Sequence, residues 1–129
     1  MHLVDIVLSW DAMTPVQIKP TIDRSLLEKI DVRVGTIEAV SDVPKSEKLV
    51  ALRVNFGDHV RTILAGMKKE RANPAELVDK QALFVVNLEP RKMAGMSSEG
   101  MLFDIGYDDG IPPALATPER PVPNGSRAG

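Results

Sequence analysis

Residues 82–105 read ALFVVNLEPRKMAGMSSEGMLFDI. Two short runs, ALFVVNL and MLFDI, carry the branched and aromatic residues that favour strands and are too short for ordinary helices. Between them lie about ten residues holding a proline, adjacent cations, glycines, serines and a glutamate, whereas hairpin connections commonly use two to five residues. A connection this long and this polar is expected to do more than reverse the chain.

Working outward, DVRVGTIEAVSDV (31–43) alternates at a period near two, with Val32, Val34 and Thr36 on one face and Arg33 and Gly35 on the other. The parity slips between Val34 and Ile37, so Gly35 marks a bend or bulge of the kind a small barrel needs in its first strand. LVALRVNF (49–56) and HVRTILA (59–65) form a hairpin about a Gly57-Asp58 turn. Asn73 followed by Pro74 is a helix start, with an N-cap side chain and a ring at the first helical position. Ser25 and Glu28 have the spacing of a capping box, which predicts a short helical turn near SLLEKI (25–30).

The order is thus three strands, a short helix and two strands, with extended connections after the first and fourth. That order predicts an all-β chain with a short helix, a five-stranded OB-fold barrel with N- and C-terminal extensions, in which those two connections flank the ligand face. A generic β-sandwich is the alternative. The expected boundaries are an N-terminal extension at 1–21, the barrel at 22–106 and a C-terminal extension at 107–129 that could contact a second copy. Within 1–21, Met13 is a second candidate initiator. The run LVDIVLSW (3–10) could otherwise add a strand or a subunit-contacting arm.

Composition narrows the function. The chain has 129 residues, enough for one self-sufficient core without a metal or disulfide. It has no cysteine and only two histidines, His2 and His59, which removes thiol chemistry and argues against a metal site. No P-loop, dinucleotide fingerprint, HExxH or nucleophile elbow is present, so no catalytic residue and no cofactor is expected. No apolar run reaches membrane-spanning length, and the start makes a poor signal peptide; a cytoplasmic protein without membrane contact is expected. A net charge of −2 excludes binding nucleic acid by bulk electrostatics and leaves only a local basic patch.

Such a patch is available. In a barrel of this order Lys45 and Lys48 in one connection converge with Arg91 and Lys92 in the other, with Arg33 on the first strand between them. Asn87 can read a base edge or hold backbone, Ser98 can bond phosphate or ribose, and Glu99 can accept from an amine or orient Arg91. Each also has a plain structural reading, as a strand cap, a turn closure or a surface ion pair. Met67, Met93, Met96 and Met101 crowd the same region, where methionine more often fills a core gap than touches a ligand. Five aromatic residues in all are too few for a sequence-tolerant stacking platform, so any RNA would be read by shape and phosphates. His59, beside a turn, reads as an exposed, idle imidazole.

IDVRVGTIEAV (30–40), the Pro-x-x-x-Lys-Leu step at 44–49, TILAGM (62–67), NPAELVDK (73–80) and NLEPRKMAGMSSEGM (87–101), in this order, resemble one family of tRNA-binding domains. That family includes free-standing dimeric tRNA-binding proteins, the C-terminal extension of bacterial methionyl-tRNA synthetases and the endothelial monocyte-activating polypeptide module. The tail PERPVPNGSRAG (118–129) resembles the end of the synthetase extension, so the likeness covers roughly residues 22–128. The resemblance implies an OB fold, no catalysis, and a homodimer that docks on the outer corner of tRNA, alone or beside an aminoacyl-tRNA synthetase. It implies RNA contacts at Asn87, Arg91, Lys92, Ser98, Glu99 and Met101, with Arg33 and Lys48 at earlier basic positions. Two residues depart from the pattern: Glu89 stands where lysine is common and Ala94 where arginine is frequent, which predicts weaker, more salt-sensitive binding or a changed ligand. The related CsaA-type secretion chaperones, which hold unfolded chains on apolar surface, are the second functional reading.

Overall fold

The computed structural model describes residues 16–69 and 71–129. The candidate initiator Met13 and the LVDIVLSW segment lie outside the described residues. A short helix, α1 (Arg24–Glu28), precedes strands β1 (Val32–Asp42), β2 (Val50–Asn55) and β3 (Val60–Ala65). A 3-10 helix (Pro74–Leu77) leads to β4 (Gln81–Val85), after which come β5 (Arg91–Met93), β6 (Met96–Ser98) and β7 (Met101–Leu102). Then follow β8 (Asp104–Ile105), β9 (Ala114–Leu115) and β10 (Arg127–Ala128).

The main sheet runs in the order β3-β2-β1-β4-β7, every pair antiparallel, and curls into a nearly closed five-stranded barrel. This is the OB fold expected from the alternation of the strands. β1 serves both halves: its first residues pair with β4 and its later ones with β2. The switch needs curvature, and two devices supply it. The register shifts between Ile37 and Ala39, a bulge at Glu38. At Gly35 an added Cβ would sit 2.5 Å from Val54 Cγ1 and 2.9 Å from the Phe56 ring, so only glycine lets the strand bend this closely over the core.

Ile37, Leu52, Val54, Phe56, Ile63, Met67, Leu77 and Phe84 fill the barrel. Each large apolar side chain removed from water there contributes about 1.5–3 kcal/mol. A second cluster, Val43, Ala51 and Leu64, lies on the opposite face of β2 and β3, outside the barrel. Ala51 pairs with Leu64 across these strands, and Met93, Ala94 and Met96 pack onto them. The methionines of the 87–101 stretch therefore fill gaps against the barrel wall, while Met101 is half exposed.

Several local expectations change. Asp23, not Ser25, caps α1: its side chain accepts from the Ser25 N–H at 3.0 Å, so no capping box forms. Asn73 does cap the 3-10 helix through the Ala75 N–H, with Pro74 at its start. The long connection is not a loop but a hairpin, β5–β6, pairing Arg91 with Ser98, Lys92 with Ser97 and Met93 with Met96. The run after it divides into β7 and β8 because the chain leaves β4 after Phe103, whose N–H still donates to Leu83 O, and pairs β8 with β9. The tail returns to the barrel. Val34 N–H donates to Ser126 O, Gly125 N–H to Val34 O, and β10 pairs with the start of β1. Gln81 fastens the tail further through both backbone groups of Val122.

Candidate nucleic-acid interface

The outward face of β1, β2 and β3 presents Ala39, Ser41, Ala51, Arg53, Thr62 and Leu64, as strand alternation and register require. The β5–β6 hairpin lies over one side of this face because Met93 and Met96 are apolar and Ala51 and Leu64 offer apolar surface. The remaining surface is a shallow cleft of about 610 Å³ lined by Ser41, Ala51, Arg53, Thr62, Met96 and Glu99.

The hairpin tip is a two-residue turn with Ala94 at φ 49° and Gly95 at φ 81°. Both left-handed values belong to the turn that matches the twist of paired strands. The β1–β2 connection meets this tip: a Cβ placed on Gly95 would lie 3.7 Å from Lys45 Nζ and 3.8 Å from Lys45 Cδ. Lys45, Lys48, Arg91 and Lys92 are all exposed. Among the described residues none of the four has a carboxylate within ion-pair distance, whereas Arg33, Arg53, Lys68, Lys69 and Arg71 all do. Two touching loops thus carry four uncompensated cations on a chain whose net charge is −2.

The other candidates from the sequence are placed differently. Arg33 is committed to Asp31 by two bonds of 2.9 and 3.0 Å. That guanidinium holds the Asp31 carboxyl below its ordinary range, against the opposing effect of burial. Asn87 accepts from the Asp31 N–H at 2.8 Å and donates to Lys29 O at 2.6 Å, fastening the end of α1 to the end of β4. Ser98 is buried, 2% exposed; its hydroxyl accepts from the Leu64 N–H at 3.0 Å and donates to Gly100 O at 2.9 Å. Glu99 closes the same edge: its N–H donates to Thr62 O, and its Oε1 accepts from the Thr62 N–H at 3.0 Å. Side chains of Ser98 and Glu99 therefore satisfy the N–H groups of β3 where no further strand pairs with it. Met101 stands exposed on β7, beside Val85 of β4.

Two residues with clear roles here, Lys68 and Arg61, were not singled out in the sequence, and a third, His59, was misread. Lys68 Nζ donates to Val43 O at 3.0 Å and Ser46 O at 2.6 Å, pinning the connection that carries Lys45 and Lys48. Arg61 donates to Val86 O and Glu99 O at the base of the hairpin. His59 is not idle: it stacks on Phe56 at 5.5 Å between centroids and accepts from Arg61 Nε at 3.0 Å. Since Nε2 accepts, the ring proton sits on Nδ1 and reaches Asp58 at 2.6 Å, which holds that carboxyl below its usual range. The carbonyls that Lys68 and Arg61 reach are 22 to 38 residues away, and sequence spacing carries no sign of them; the partners of His59 are local, within the hairpin turn.

Comparison with known proteins gives a consistent answer. The model of a family described as a putative tRNA binding domain matches residues 32–127. The methionine–tRNA ligase of Pyrococcus abyssi is 43% identical over 99 residues, 77% of this chain but 13% of that protein. This chain therefore spans only about an eighth of the length of such relatives. Among solved structures, a MetRS related protein from Pyrococcus horikoshii superposes with a TM-score of 0.78 at 33% identity, over 86% of this chain and all of that one. The chaperone CsaA from Bacillus anthracis superposes with a TM-score of 0.72 at 26% identity, over 85% of this chain and all of that one.

Proposed function

The chain belongs to the family of tRNA-binding domains, and from that membership we propose that it is a non-catalytic, structure-dependent tRNA-binding protein serving an aminoacyl-tRNA synthetase. One observation carries the reading: Lys45, Lys48, Arg91 and Lys92 are exposed, without carboxylate partners among the described residues, on two loops that touch. Clustered cations facing water repel one another, and phosphates relieve that repulsion while releasing counterions. In this reading the four cations take phosphates, and exposed Met101 meets a ribose or base. Asn87, Ser98 and Glu99 keep the loop in shape, and Arg33 fixes the start of β1 through Asp31. The likeness to a MetRS related protein from Pyrococcus horikoshii supports a link to a synthetase.

The protein works as a homodimer in the cytoplasm. Apolar Ile22, Leu26, Leu27 and Ile30, on and around α1, are exposed and offer contact surface for the second copy. The likeness to CsaA supports a second reading, a chaperone that holds unfolded chains. Met101, Phe103, Ile105 and Tyr107, each about half exposed and alternating along the chain, would be its apolar surface.

The deciding experiment is a titration with mixed tRNA at about 50 and 200 mM salt, where phosphate contacts lose affinity steeply. Four neutralised phosphates give a slope of log K on log salt of about −3, or about sixty-fold weaker binding at the higher salt. A flat response, or no binding at low salt, removes the phosphate reading. Suppression of aggregation of an unfolded client, retained after Arg91→Ala and Lys92→Ala, would then support the chaperone.

A further inference from the structure

We propose that Arg61 is the positioning residue of the RNA-facing hairpin, a role that rests on the tRNA-binding reading. The hairpin leaves the barrel after Val86 and rejoins it at Glu99. Arg61 Nη1 donates to the carbonyl oxygens of both residues, at 2.6 and 3.0 Å. One nitrogen thus ties together the two ends of a twelve-residue excursion, residues 87–98. The guanidinium is itself held from two further sides. Its Nε donates to His59 Nε2 at 3.0 Å, and its carbon lies 5.9 Å from the centroid of the Phe56 ring.

Position along β3 separates this arginine from the loop cations. Arg61 shares the inward parity of Ile63, and where it reaches the edge of the cleft its nitrogens are already bonded to Val86 O, Glu99 O and His59; Thr62 and Leu64 take the outward parity. Its charge therefore sits at the rim of the barrel and is spent on backbone carbonyls. Lys68, just beyond the other end of β3, does the same for the β1–β2 connection through Val43 O and Ser46 O. Two internally committed cations hold the backbones of the two loops that present the four uncommitted ones. Without Arg61 the hairpin samples more arrangements, and apparent affinity falls by the fraction of time it spends in the competent one. The contacts within the complex stay the same, so the salt slope does not change.

The test uses Arg61→Met, which keeps a long unbranched stem but removes every donor. Amide hydrogen exchange of the free protein and tRNA titrations across salt are read together. Expected are exchange at residues 91–98 faster by about tenfold, core amides such as Leu52 and Phe84 unchanged, affinity lower by about tenfold, and an unaltered salt slope. A slope shallower by about 0.7–0.9 with unchanged exchange would mean that Arg61 itself meets a phosphate, and overturns the proposal. Unchanged affinity despite faster exchange overturns it too. If Arg61→Met unfolds, Arg61→Lys decides: it keeps the charge but lacks Nε and the planar fork, and is expected to show the same local loosening. Wild-type behaviour of the lysine variant overturns the proposal. Wild-type protein that binds no tRNA defeats the underlying reading. Exchange, measured without RNA, would then still support Arg61 as the residue ordering the hairpin if faster, and refute it if unchanged.

Discussion

The Leu64 N–H donates to Ser98 Oγ over 3.0 Å, in the buried seam where β3 meets the returning hairpin. β3 is the last strand of the sheet on its side, and without these partners its N–H groups at Thr62 and Leu64 would lack a strand to bond, the Leu64 group in a buried position. A serine hydroxyl and a glutamate carboxylate take the place of a strand. Ser98→Ala leaves the Leu64 donor without a partner, a loss expected to cost about 1–3 kcal/mol. Urea unfolding of the two proteins reads it directly, and the salt slope of tRNA binding should stay at its wild-type value.

Arg91 and Lys92 behave oppositely. They are exposed and make no ion pair among the described residues, so removing either should leave stability within about 0.5 kcal/mol. Each alanine substitution is expected to weaken binding of all tRNAs alike and to reduce the salt slope by about 0.7–0.9. Selective loss for one tRNA in parallel titrations would instead mark a base contact. Exposed Glu89, set between these cations and Asn87, should act with the reverse sign, Glu89→Lys steepening the slope.

Ala94 holds φ 49°, a conformation that costs an L-residue with a Cβ about 1–2 kcal/mol and glycine almost nothing. Its methyl group packs on the edge of the Val43 cluster, which offsets part of any gain from removing it. Ala94→Gly is therefore expected to stabilise the protein by about 0.5–1 kcal/mol. Equilibrium unfolding tests this, and a loss of stability would show that the methyl contact outweighs the strain.

Asp104 gives the pH dependence a sign. Burial, and then the neighbouring Asp108 charge, raise its carboxyl above the ordinary value. A raised folded-state pKa means that this group favours folding fully below its unfolded value, about 3.9, and that this contribution is lost as pH rises through the folded value. Asp104→Asn should accordingly raise Tm at pH 7.5 and leave it unchanged near pH 3.5. A Tm increase of equal size at both would show that charge is not the cause.

The strands, the Asn73–Pro74 helix start and the close packing at Gly35 were legible because each is written locally, in alternation, in a cap residue and in a missing side chain, whereas the bulge expected at Gly35 lies at Glu38. The family likeness was legible for a related reason, since the ordered motifs are contiguous stretches. The hairpin hidden in 87–101 was not, because its turn residue Ala94 lacks the glycine or asparagine that usually announces a left-handed position.

What the sequence determined by itself is the barrel and the set of polar groups at its rim. Which of those groups remain available to a ligand was decided only in three dimensions. Asn87 and Ser98 find partners 56 and 34 residues away, and Arg61 reaches carbonyls 25 and 38 residues away. A hydrogen bond or ion pair removes a group from the ligand's reach, and pairing over such separations depends on strand register and barrel closure. Among the described residues Lys45, Lys48, Arg91 and Lys92 stay uncommitted while carboxylates of the same region are taken by others, Asp42 by Lys68, Glu47 by Lys69 and Glu99 by the Thr62 N–H.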